Sequence, residues 1–176
     1  MLPPRDDARL RPMTDADQQA VLRLNEEHVA VLSPMDAARL RAIRGWAQRC
    51  DVVEVRESAG SPWRTAGFVV VIGPGSAYDS AKYQWFARTY DDFLYLDRIV
   101  LDTSVHRRGL GTLAYDAVEA DASVHGRMCL EVDVDPPNTA SLGFHAARGF
   151  VEVARLGEPG ATVSMQVKQW APADGA

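Results

Sequence analysis

A pair of glycines separated by one residue lies between an apolar, strand-like segment and the start of a helical pattern, within residues 106–112. Because glycine has no Cβ, it permits a tight turn and lets a ligand approach the backbone closely. The amides of such a turn point at an anion, and both the dipole of the following helix and the charges of Arg107 and Arg108 favour the same ligand. The run predicts a phosphate-binding loop in a strand-loop-helix unit, although an ordinary turn with a solvated basic flank gives a similar pattern.

A second segment, residues 130–150, adds a more specific pattern. It begins with alternating apolar and acidic residues, as in a strand, and this alternation ends at Pro136, Pro137 and Asn138. After the two prolines, Asn138 is well placed to cap a helix, because its side chain can accept from a backbone amide. The pattern is completed by Ser141, Phe144, His145, Gly149 and Phe150.

Together the two segments resemble the GNAT superfamily of acyl-CoA-dependent N-acetyltransferases, over roughly residues 93–153. The resemblance implies an α/β (α+β) fold: a mixed, mainly antiparallel central sheet of six to seven strands with helices on both faces. It also implies acetyl-CoA as the co-substrate, with its diphosphate on the glycine loop and its pantetheine arm along the strand before that loop. The implied coenzyme-binding residues are Ile99, Val100, Leu101, His106, Arg107, Arg108, Gly109, Leu110, Gly111, Thr112, Asn138, Ser141 and Phe144.

Two residues depart from the family pattern. His106 stands where the family usually has Gln or Arg, and we expect the loop to tolerate this change because its contacts to the diphosphate are largely backbone amides. His145 stands where the family usually has the Tyr that protonates the departing thiolate. An ordinary imidazole, with a pKa of about 6.5, can supply a proton near pH 7. We therefore predict His145 as the general acid, with simple packing against Phe144 or the sheet as the alternative.

The base that takes the proton of the attacking amine is sought on the same two strands. Alternation puts Tyr95 and Asp97 on one face of the first strand, and Glu131 and Asp133 on one face of the second. We predict Tyr95 and Asp97 as catalytic residues, with Asp97 as the base. For each carboxylate the structural alternative is a salt bridge to Arg98 or a surface position.

Seven of the 14 aromatic residues of the chain lie between Tyr78 and Tyr95, with three aspartates among them. Aromatic rings and carboxylates suit an ammonium group, through cation–π attraction and charge pairing. This composition predicts a substrate-binding wall made of Tyr83, Trp85 and Tyr90. The alternative is a short helix whose core face carries Tyr83, Phe86 and Tyr90 while the aspartates face water.

Length and composition limit the class of protein. The 176 residues, 47% of them hydrophobic, predict a single acetyltransferase domain over residues 8–170 with flexible termini at 1–7 and 171–176. The net charge of -5 argues against binding nucleic acid as the main function and suits an amine acceptor. Cys50 and Cys129 lie in or beside apolar stretches without metal-ligand spacing, so we predict buried thiols and no metal. A cytoplasmic protein without a membrane partner is expected, and a homodimer stays open.

The order of elements follows from periodicity and turn residues. Four helices are predicted. The first covers residues 15–28, and the second begins with a cap at Ser33 and a first helical residue at Pro34 and ends near Arg49. The third and fourth cover residues 108–124 and 138–148. Strands are predicted over residues 51–57, 67–72, 93–101, 128–134, 151–155 and 163–167, with a hairpin turn at 58–62.

Two rival functions remain. Residues 109–114 also fit the dinucleotide fingerprint of oxidoreductases, with Glu131 about twenty residues further on; the several residues between the strand and Gly109 argue against it. The second rival is a non-catalytic acyl-CoA-binding or sensor module, motivated by the missing Tyr. We favour an N-acetyltransferase that moves an acetyl group from acetyl-CoA to a primary amine of a small molecule or peptide, by direct attack in a ternary complex.

Overall fold

The structure is a computed structural model that describes residues 7–30 and 32–171. In this part of the chain there are seven strands and five α-helices. The strands are β1 (Ala8–Pro12), β2 (Ala47–Val55), β3 (Arg64–Ile72), β4 (Leu94–Leu101), β5 (Arg127–Asp135), β6 (Val151–Glu158) and β7 (Ala161–Gln169). The helices are α1 (Gln18–Glu27), α2 (Ala37–Trp46), α3 (Ala81–Thr89), α4 (Leu110–Val124) and α5 (Thr139–Ala147). None of these helices is both long enough and apolar enough to cross a membrane.

The strands form one open sheet in the order β1-β2-β3-β4-β5-β7-β6. The pairs β1 with β2, β2 with β3, β5 with β7 and β6 with β7 are antiparallel, whereas β4 and β5 are parallel. The prediction of a mixed, mainly antiparallel sheet in an α/β fold is confirmed.

The chain divides into two compact units, each with more contacts within itself than to the other. The first comprises residues 7–72 and Asp97–Val118, and the second comprises Gly73–Leu96 and residues 119–171. In the first unit, Val53, Val55, Ala66, Val105 and Leu110 belong to one buried apolar cluster, so the first residue of α4 is anchored in a core. The second unit contains a cluster of aromatic rings around Tyr83 and Tyr95.

The hairpin predicted between the second and third strands is confirmed. β2 and β3 pair side by side from Ala47 opposite Ile72 to Val55 opposite Arg64. The turn between them contains Gly60 at φ +92°, a left-handed conformation that favours glycine.

The start and end of α2 differ from the prediction. The helix is capped by Asp36, whose side chain accepts from the amide of Arg39 at 2.7 Å, and not by Ser33. It ends at Trp46, and residues 47–50 belong to β2 because they pair with the end of β3. The carboxylate of Asp36 can cap a helix as well as the hydroxyl of Ser33 can, and it lies three residues before the amide that it accepts from. Residues 47–50 leave the helix because their pairing in the sheet overrides helix propensity.

Strand β1 was not predicted, although apolar and basic residues alternate along its five residues, Ala8 to Pro12. It forms by pairing with β2, with Ala8 opposite Val55 and Leu10 opposite Val53. Just before it, the carboxylate of Asp7 accepts from Nε of Arg56 at 3.0 Å. Of the predicted flexible termini, Asp7 and Ala171 are described and the remaining residues lie outside the described part of the chain.

Candidate active site

The glycine loop leads into the first turn of α4 with two left-handed residues. Arg107 has φ +61° and Gly109 has φ +77°. The carbonyl oxygen of Gly109 accepts from the amide of Leu113 at 3.0 Å, so the helical hydrogen bonds begin at Gly109. The amides of Leu110, Gly111 and Thr112 therefore lie in the first turn, where helix geometry provides no acceptor within the helix. An anion at this position would meet backbone donors and the positive end of a helix dipole of 15 residues.

Gly111 lies inside α4, and the fold itself does not require a glycine there. A Cβ added at this residue would come no closer to the rest of the chain than 3.8 Å from Cδ1 of Leu101, which is ordinary van der Waals contact. Its φ is not in the left-handed region, unlike that of Gly109. Packing within the first unit therefore does not explain the glycine, whereas a ligand that approaches the first-turn amides closely would do so.

The side chains of the loop differ in exposure. His106, Arg107 and Thr112 are exposed, Arg108 is half-buried, and Leu110 is buried. The ring nitrogen Nε2 of His106 lies 3.2 Å from the carbonyl oxygen of Leu101, which ties the loop back to the end of β4.

β4 carries the residues expected along the pantetheine arm. Val100 is buried, whereas Ile99 and Leu101 are half-buried. The backbone of Val100 is approached so closely by β3 that a Cβ on Gly67 would lie 2.5 Å from the Val100 carbonyl oxygen. The parallel register of β4 with β5 joins Leu94 and Tyr95 to Met128 and Cys129, at the amino-terminal end of β4.

Asp97 takes part in a buried ion pair within the first unit. Its carboxylate accepts from Nε of Arg98 at 2.7 Å, and each side chain is only 6% exposed. Nη1 of the same guanidinium donates to Oδ1 of Asn25 in α1 at 2.8 Å. The salt bridge considered as the structural alternative is therefore present, and the catalytic role of Asp97 stays a prediction.

In the second unit, Asn138 caps α5 as predicted, since its side chain accepts from the amide of Ser141 at 3.1 Å. His145, two turns into this helix, is 4% exposed. Its ring meets the rings of Phe144 and Phe150 edge-on, at centroid distances of 5.7 and 5.3 Å. Nδ1 of His145 lies 3.4 Å from Oγ of Ser141.

Burial changes the proton chemistry of His145. Removal of the ring from water lowers its pKa to about 4, and the positive charge of Arg148 acts in the same direction. At pH 7 the ring is thus neutral and not an imidazolium. The acid role assigned to His145 assumed an ordinary pKa, so the protonated fraction of the ring at pH 7 is far smaller than the sequence suggested.

Glu131 is a functional candidate that the sequence reasoning undervalued. Tyr95 is fully buried, and its hydroxyl donates to Oε2 of the half-buried Glu131 at 2.6 Å. Alternation had placed Tyr95 with Asp97, and Glu131 with Asp133, as separate pairs. The signal that joins Tyr95 to Glu131 is the register of β4 with β5, which puts Tyr95 opposite Cys129, two residues before Glu131.

The aromatic segment is mainly core. Tyr83 is fully buried, and its hydroxyl donates to the carbonyl oxygen of Gly73 at 2.8 Å and accepts from the amide of Ser76 at 2.9 Å. Phe86 is also fully buried, so the helix-core interpretation of these two residues is confirmed. Trp85 is half-buried and meets Phe86 edge-on.

Tyr90 is half-buried too, but its ring already faces a cation. The guanidinium of Arg127 lies 4.0 Å from the centre of the Tyr90 ring. Trp85 and Tyr90 are therefore partly exposed to solvent, whereas Tyr83 is fully buried.

Both cysteines are free. Cys129 is buried and Cys50 is half-buried, and burial raises the pKa of the Cys50 thiol to about 11 and that of Cys129 further. The prediction of a buried thiol is confirmed for Cys129, whereas Cys50 is only half-buried.

Comparison with known families gives one match, to the acetyltransferase (GNAT) family, over residues 64–150. This span runs from β3 to the end of α5 and contains the glycine loop. None of the curated proteins compared with the chain matches it.

Solved structures share the fold over nearly the whole chain. Ard1 from Thermoplasma volcanium has a TM-score of 0.68 at 18% identity, covering 93% of this chain and 97% of its own. Naa50 from Arabidopsis thaliana, in complex with the bisubstrate analogue CoA-Ac-MVNAL, has a TM-score of 0.67 at 12% identity, covering 93% and 99%. Spermidine N-acetyltransferase from Vibrio cholerae, in complex with CoA and spermine, has a TM-score of 0.65 at 17% identity, covering 93% and 96%.

The fold also removes the dinucleotide-binding rival. That fold needs a parallel sheet with its glycine turn directly after a strand. Here the sheet is mostly antiparallel, and residues 102–108, including a short 3₁₀ turn at Thr103–Val105, separate β4 from Gly109.

Proposed function

Because the chain belongs to the GNAT family of acetyltransferases, we propose that it transfers an acetyl group from acetyl-CoA to a primary amine of a small molecule or peptide. In this proposal residues 8–170 act as one N-acetyltransferase domain, and the amine attacks the thioester directly in a ternary complex. The observation that carries the proposal is the glycine loop. It combines left-handed Gly109, a glycine at Gly111 that packing does not require, and the first-turn amides of α4, with two arginines next to Gly109 in the sequence.

The residues of the loop fit a diphosphate. The amides of Leu110, Gly111 and Thr112 can donate to its oxygens, and Arg107 and Arg108 can balance its charge. In β4, backbone groups of Ile99, Val100 and Leu101 would bond the pantetheine arm. An amide of the same strand can stabilise the oxyanion that forms on attack. For Asn138, Ser141 and Phe144 of α5, a part in coenzyme binding stays a prediction from the resemblance.

We propose that His145 assists the departure of the thiolate as a neutral imidazole. With a pKa of about 4 the protonated ring makes up only about one part in a thousand at pH 7. The thiol that forms has a pKa of about 8.5, so the thiolate can leave before it takes up a proton if its charge is stabilised. The N–H of the neutral imidazole can donate a hydrogen bond to the thiolate and so stabilise it. His145→Phe with full turnover, under conditions where chemistry limits the rate, would remove this role.

For the base, the Tyr95–Glu131 pair is the stronger candidate and Asp97 the weaker one. Glu131 is half-buried and shares a hydrogen with Tyr95, whereas the carboxylate of Asp97 already balances the charge of Arg98. A base that accepts the proton of an ammonium must have a free lone pair, directly or through water. Asp97→Asn with an unchanged acid limb in its pH profile would exclude Asp97.

The acceptor is proposed at the level of its reacting group. Structural relatives include one solved with spermine and one with a peptide-bearing analogue, so both small polyamines and peptide amines are reasonable classes to test. Trp85 and Tyr90 are the proposed aromatic contacts to the acceptor. Tyr83 is buried, and its ring meets those of Phe93 and Tyr95.

One observation favours a second function, a non-catalytic acyl-CoA-binding or sensor module. The residue at the acid position is neither Tyr nor, at pH 7, a protonated His. Such a module would bind acetyl-CoA and leave the thioester intact.

The experiment that tests the proposal measures free thiol released from acetyl-CoA with a panel of a polyamine, free amino acids and peptides with an unblocked N-terminus. We expect release with at least one amine, above the rate without acceptor, and an acetylated product by mass spectrometry. Binding of acetyl-CoA without any amine-dependent release would favour the sensor module. No binding at all would reject both functions.

A further inference from the structure

Arg98 of β4 and Asn25 of α1 make a buried polar contact within the first unit. Arg98 is 8% exposed and Asn25 is fully buried. Nη1 of Arg98 donates to Oδ1 of Asn25 at 2.8 Å, while Nε donates to the carboxylate of Asp97 at 2.7 Å. Because a guanidinium is planar, its donors hold Asp97 and Asn25 in a fixed relative orientation. The contact thus joins the last turn of α1 to the middle of β4.

Asn25 also holds the segment between α1 and α2, of which residues 32–36 have no regular secondary structure. Its Nδ2 donates to the carbonyl oxygen of Ser33 at 3.1 Å. Sδ of the buried Met35 lies 4.0 Å from Nη1 of Arg98. The segment is therefore held at two residues, Ser33 through its backbone and Met35 through its side chain. Ser33 and Pro34 are exposed.

The orientation of the Asn25 amide follows from its two partners. Oδ1 faces a positively charged donor, and Nδ2 faces a carbonyl oxygen, which only accepts. The reversed amide would place donor against donor and acceptor against acceptor. A carboxylate in place of the amide could still accept from Arg98, but it could not donate to Ser33. The bond to Ser33 can therefore be removed without removing the bond to Arg98.

The network is costly for a protein core. Taking an ion pair out of water costs free energy that the attraction between the charges offsets only in part, and apolar side chains of similar volume often stabilise a core equally well. Stability alone therefore does not explain why Arg98 and Asn25 are polar. Their hydrogen bonds do fix geometry, because each requires its partner within a narrow range of distance and angle.

The network lies next to the part of β4 proposed to hold the thioester. Ile99, Val100 and Leu101, which follow Arg98 directly, are the proposed contacts of the pantetheine arm. An attacking amine must come within about 3–3.5 Å of the thioester carbon, so the acceptor lies against this part of β4. In the first unit, the hydrogen bonds of Arg98 and Asn25 place residues 32–36 beside the same part of the strand.

We propose that Asn25, together with Arg98, is a positioning residue for the acceptor amine: it holds residues 32–36 beside β4, where they contact the acceptor. The inference rests on the proposed function, because it assumes attack on acetyl-CoA bound along β4. It assigns recognition of the acceptor to a segment that contains none of the proposed coenzyme contacts. Loss of the bond to Ser33 then weakens binding of the acceptor and leaves binding of acetyl-CoA unchanged.

The test is steady-state kinetics of Asn25→Asp, measured as thiol release from acetyl-CoA. The acceptor is the amine that reacts fastest with wild type in the panel of a polyamine, amino acids and peptides. We expect KM for the amine to rise at least about fivefold, as for one lost hydrogen bond, with kcat and KM for acetyl-CoA within about twofold of wild type. Asn25→Leu, which loses both bonds, should show the same split or a larger rise.

Glu54→Gln is the matched control, because it exchanges a carboxylate for an amide at another buried residue of the first unit. Glu54 of β2 is 6% exposed and accepts from Arg9 and Arg11 of β1 at 2.8 and 2.9 Å. In the sheet, β3 lies between β2 and β4. We expect the melting temperature of Glu54→Gln to fall, because two arginines lose their charged partner, with KM for the amine within about twofold of wild type.

Hydrogen exchange provides a readout that does not depend on turnover. The amides of residues 32, 33, 35 and 36 should exchange faster in both Asn25 variants than in wild type or Glu54→Gln, because the segment has lost its hydrogen bond to α1. Equal exchange in all four proteins would contradict the role of Asn25 in holding the segment.

The kinetic outcomes are also distinct. An unchanged KM for the amine in Asn25→Asp, or an equal rise in Glu54→Gln, would overturn the inference. An equal rise of KM for acetyl-CoA would overturn it too, because Asn25 would then act on β4 and not on the acceptor. If wild type binds acetyl-CoA but releases no thiol with any amine, the proposed function is rejected, and the inference with it.

Discussion

Tyr95 of β4 donates its phenolic hydrogen to Oε2 of Glu131 of β5, with the two oxygens 2.6 Å apart. Because Tyr95 stands opposite Cys129 in the parallel register, Glu131 lies two residues further along β5 and on the same face. Glu131 is half-buried and Tyr95 is not exposed, so the pair is partly shielded from water. The hydrogen bond from Tyr95 thus helps to fix the orientation of the Glu131 carboxylate.

The first prediction is that Tyr95→Phe lowers kcat at least tenfold when amine acetylation is measured. The reason is that Glu131 loses the donor that orients it, and general acid-base catalysis depends on that orientation. The free energy of unfolding should fall by only about 1–2 kcal/mol, since one buried hydrogen bond is lost.

Tyr83→Phe is the matched control for this substitution. Tyr83 is equally buried, but its hydroxyl bonds to the backbone of Gly73 and Ser76. Chemical denaturation should show a similar loss of stability, with kcat within about twofold of wild type. A parallel fall of kcat in both variants would mean that Tyr95 acts through stability alone.

His145 gives a prediction about acid stability. Its folded pKa of about 4 lies below the ordinary value of 6.5, so the unfolded chain binds more protons between these values. The stability contributed by the neutral ring is present above about pH 6.5 and is lost as the pH falls towards 4. The loss should amount to about 3 kcal/mol at the acid end of this window.

The measurement is urea denaturation of wild type and His145→Leu at pH 7, 5.5 and 4.5. Other carboxylates also titrate in this range, so the difference between the two proteins is the relevant quantity. We expect the free energy of unfolding of the variant to rise relative to that of wild type as the pH falls. If the free energies of unfolding of the two proteins differed by the same amount at all three pH values, the pKa of His145 would not be lowered in the folded protein.

Gly67 provides a test of the packing that shapes β4. A Cβ at this position would lie 2.5 Å from the carbonyl oxygen of Val100 and 2.7 Å from Cδ2 of Leu101. Gly67→Ala must therefore push β3 and β4 apart, and we expect a loss of about 2 kcal/mol or more in the free energy of unfolding. Affinity for acetyl-CoA should fall with it, because Ile99, Val100 and Leu101 are the proposed contacts of the pantetheine arm.

Gly45→Ala is the control, since a Cβ there would meet nothing within 4 Å. Gly45 lies inside α2, and the higher helix propensity of alanine should stabilise the protein by up to about 1 kcal/mol. The two substitutions are chemically identical and are expected to change the melting temperature in opposite directions. Stabilisation by Gly67→Ala would contradict the close approach of the strands.

Glu119 joins α4 to two cations in the second unit. It accepts from Nε of Arg148 at 2.7 Å and from Nζ of Lys168 at 2.6 Å, with a side chain only 12% exposed. Burial by itself would raise the pKa of Glu119, but the two cations outweigh it and lower the pKa. We expect the free energy of unfolding of Glu119→Gln to be about 3 kcal/mol lower than that of wild type at pH 7, because two largely buried positive charges lose their partner.

The matching exposed pair is Glu152 with Arg155, whose side chains are 39% and 62% exposed. Glu152→Gln should change the free energy of unfolding by no more than about 1 kcal/mol. Since the pKa of Glu119 is lowered in the folded protein, its ion pairs stabilise the fold at pH values above the ordinary pKa of a carboxylate, and this stabilisation is lost as the pH falls further. The difference between wild type and Glu119→Gln should accordingly shrink as the pH falls below about 4.

The parts of this fold that could be predicted are those with a local signal. The helical spacing of apolar residues, the turn before β3 and the cap at Asn138 each act within a few residues, and each prediction is confirmed by the structure. The start of α2 was predicted wrongly because Ser33 and Asp36 both carry cap signals, and the carboxylate is the one that bonds to an amide. β1 was missed although apolar and basic residues alternate along it, because five alternating residues are a weak signal by themselves and the strand forms by pairing with β2, more than 30 residues away in the chain.

The candidate site divides in the same way. The glycine loop has a local signal, since left-handed φ values and first-turn amides depend on residues next to each other. The Tyr95–Glu131 bond depends on the register of two strands that a helix separates, so alternation within each strand could not find it. The low pKa of His145 depends on burial against Phe144 and Phe150, and the sequence pattern does not indicate this burial.

The most direct test of the central claim, that the loop holds the diphosphate of acetyl-CoA, is calorimetric titration of wild type and Gly111→Ala with acetyl-CoA. The fold has room for the added methyl group, 3.8 Å from Cδ1 of Leu101, and alanine favours the helix. We predict saturable binding to wild type, and at least about tenfold weaker binding to Gly111→Ala with an equal or higher melting temperature, because the methyl group occupies space needed by the ligand. Equal affinity of the two proteins, or no heat of binding to wild type, would contradict the claim.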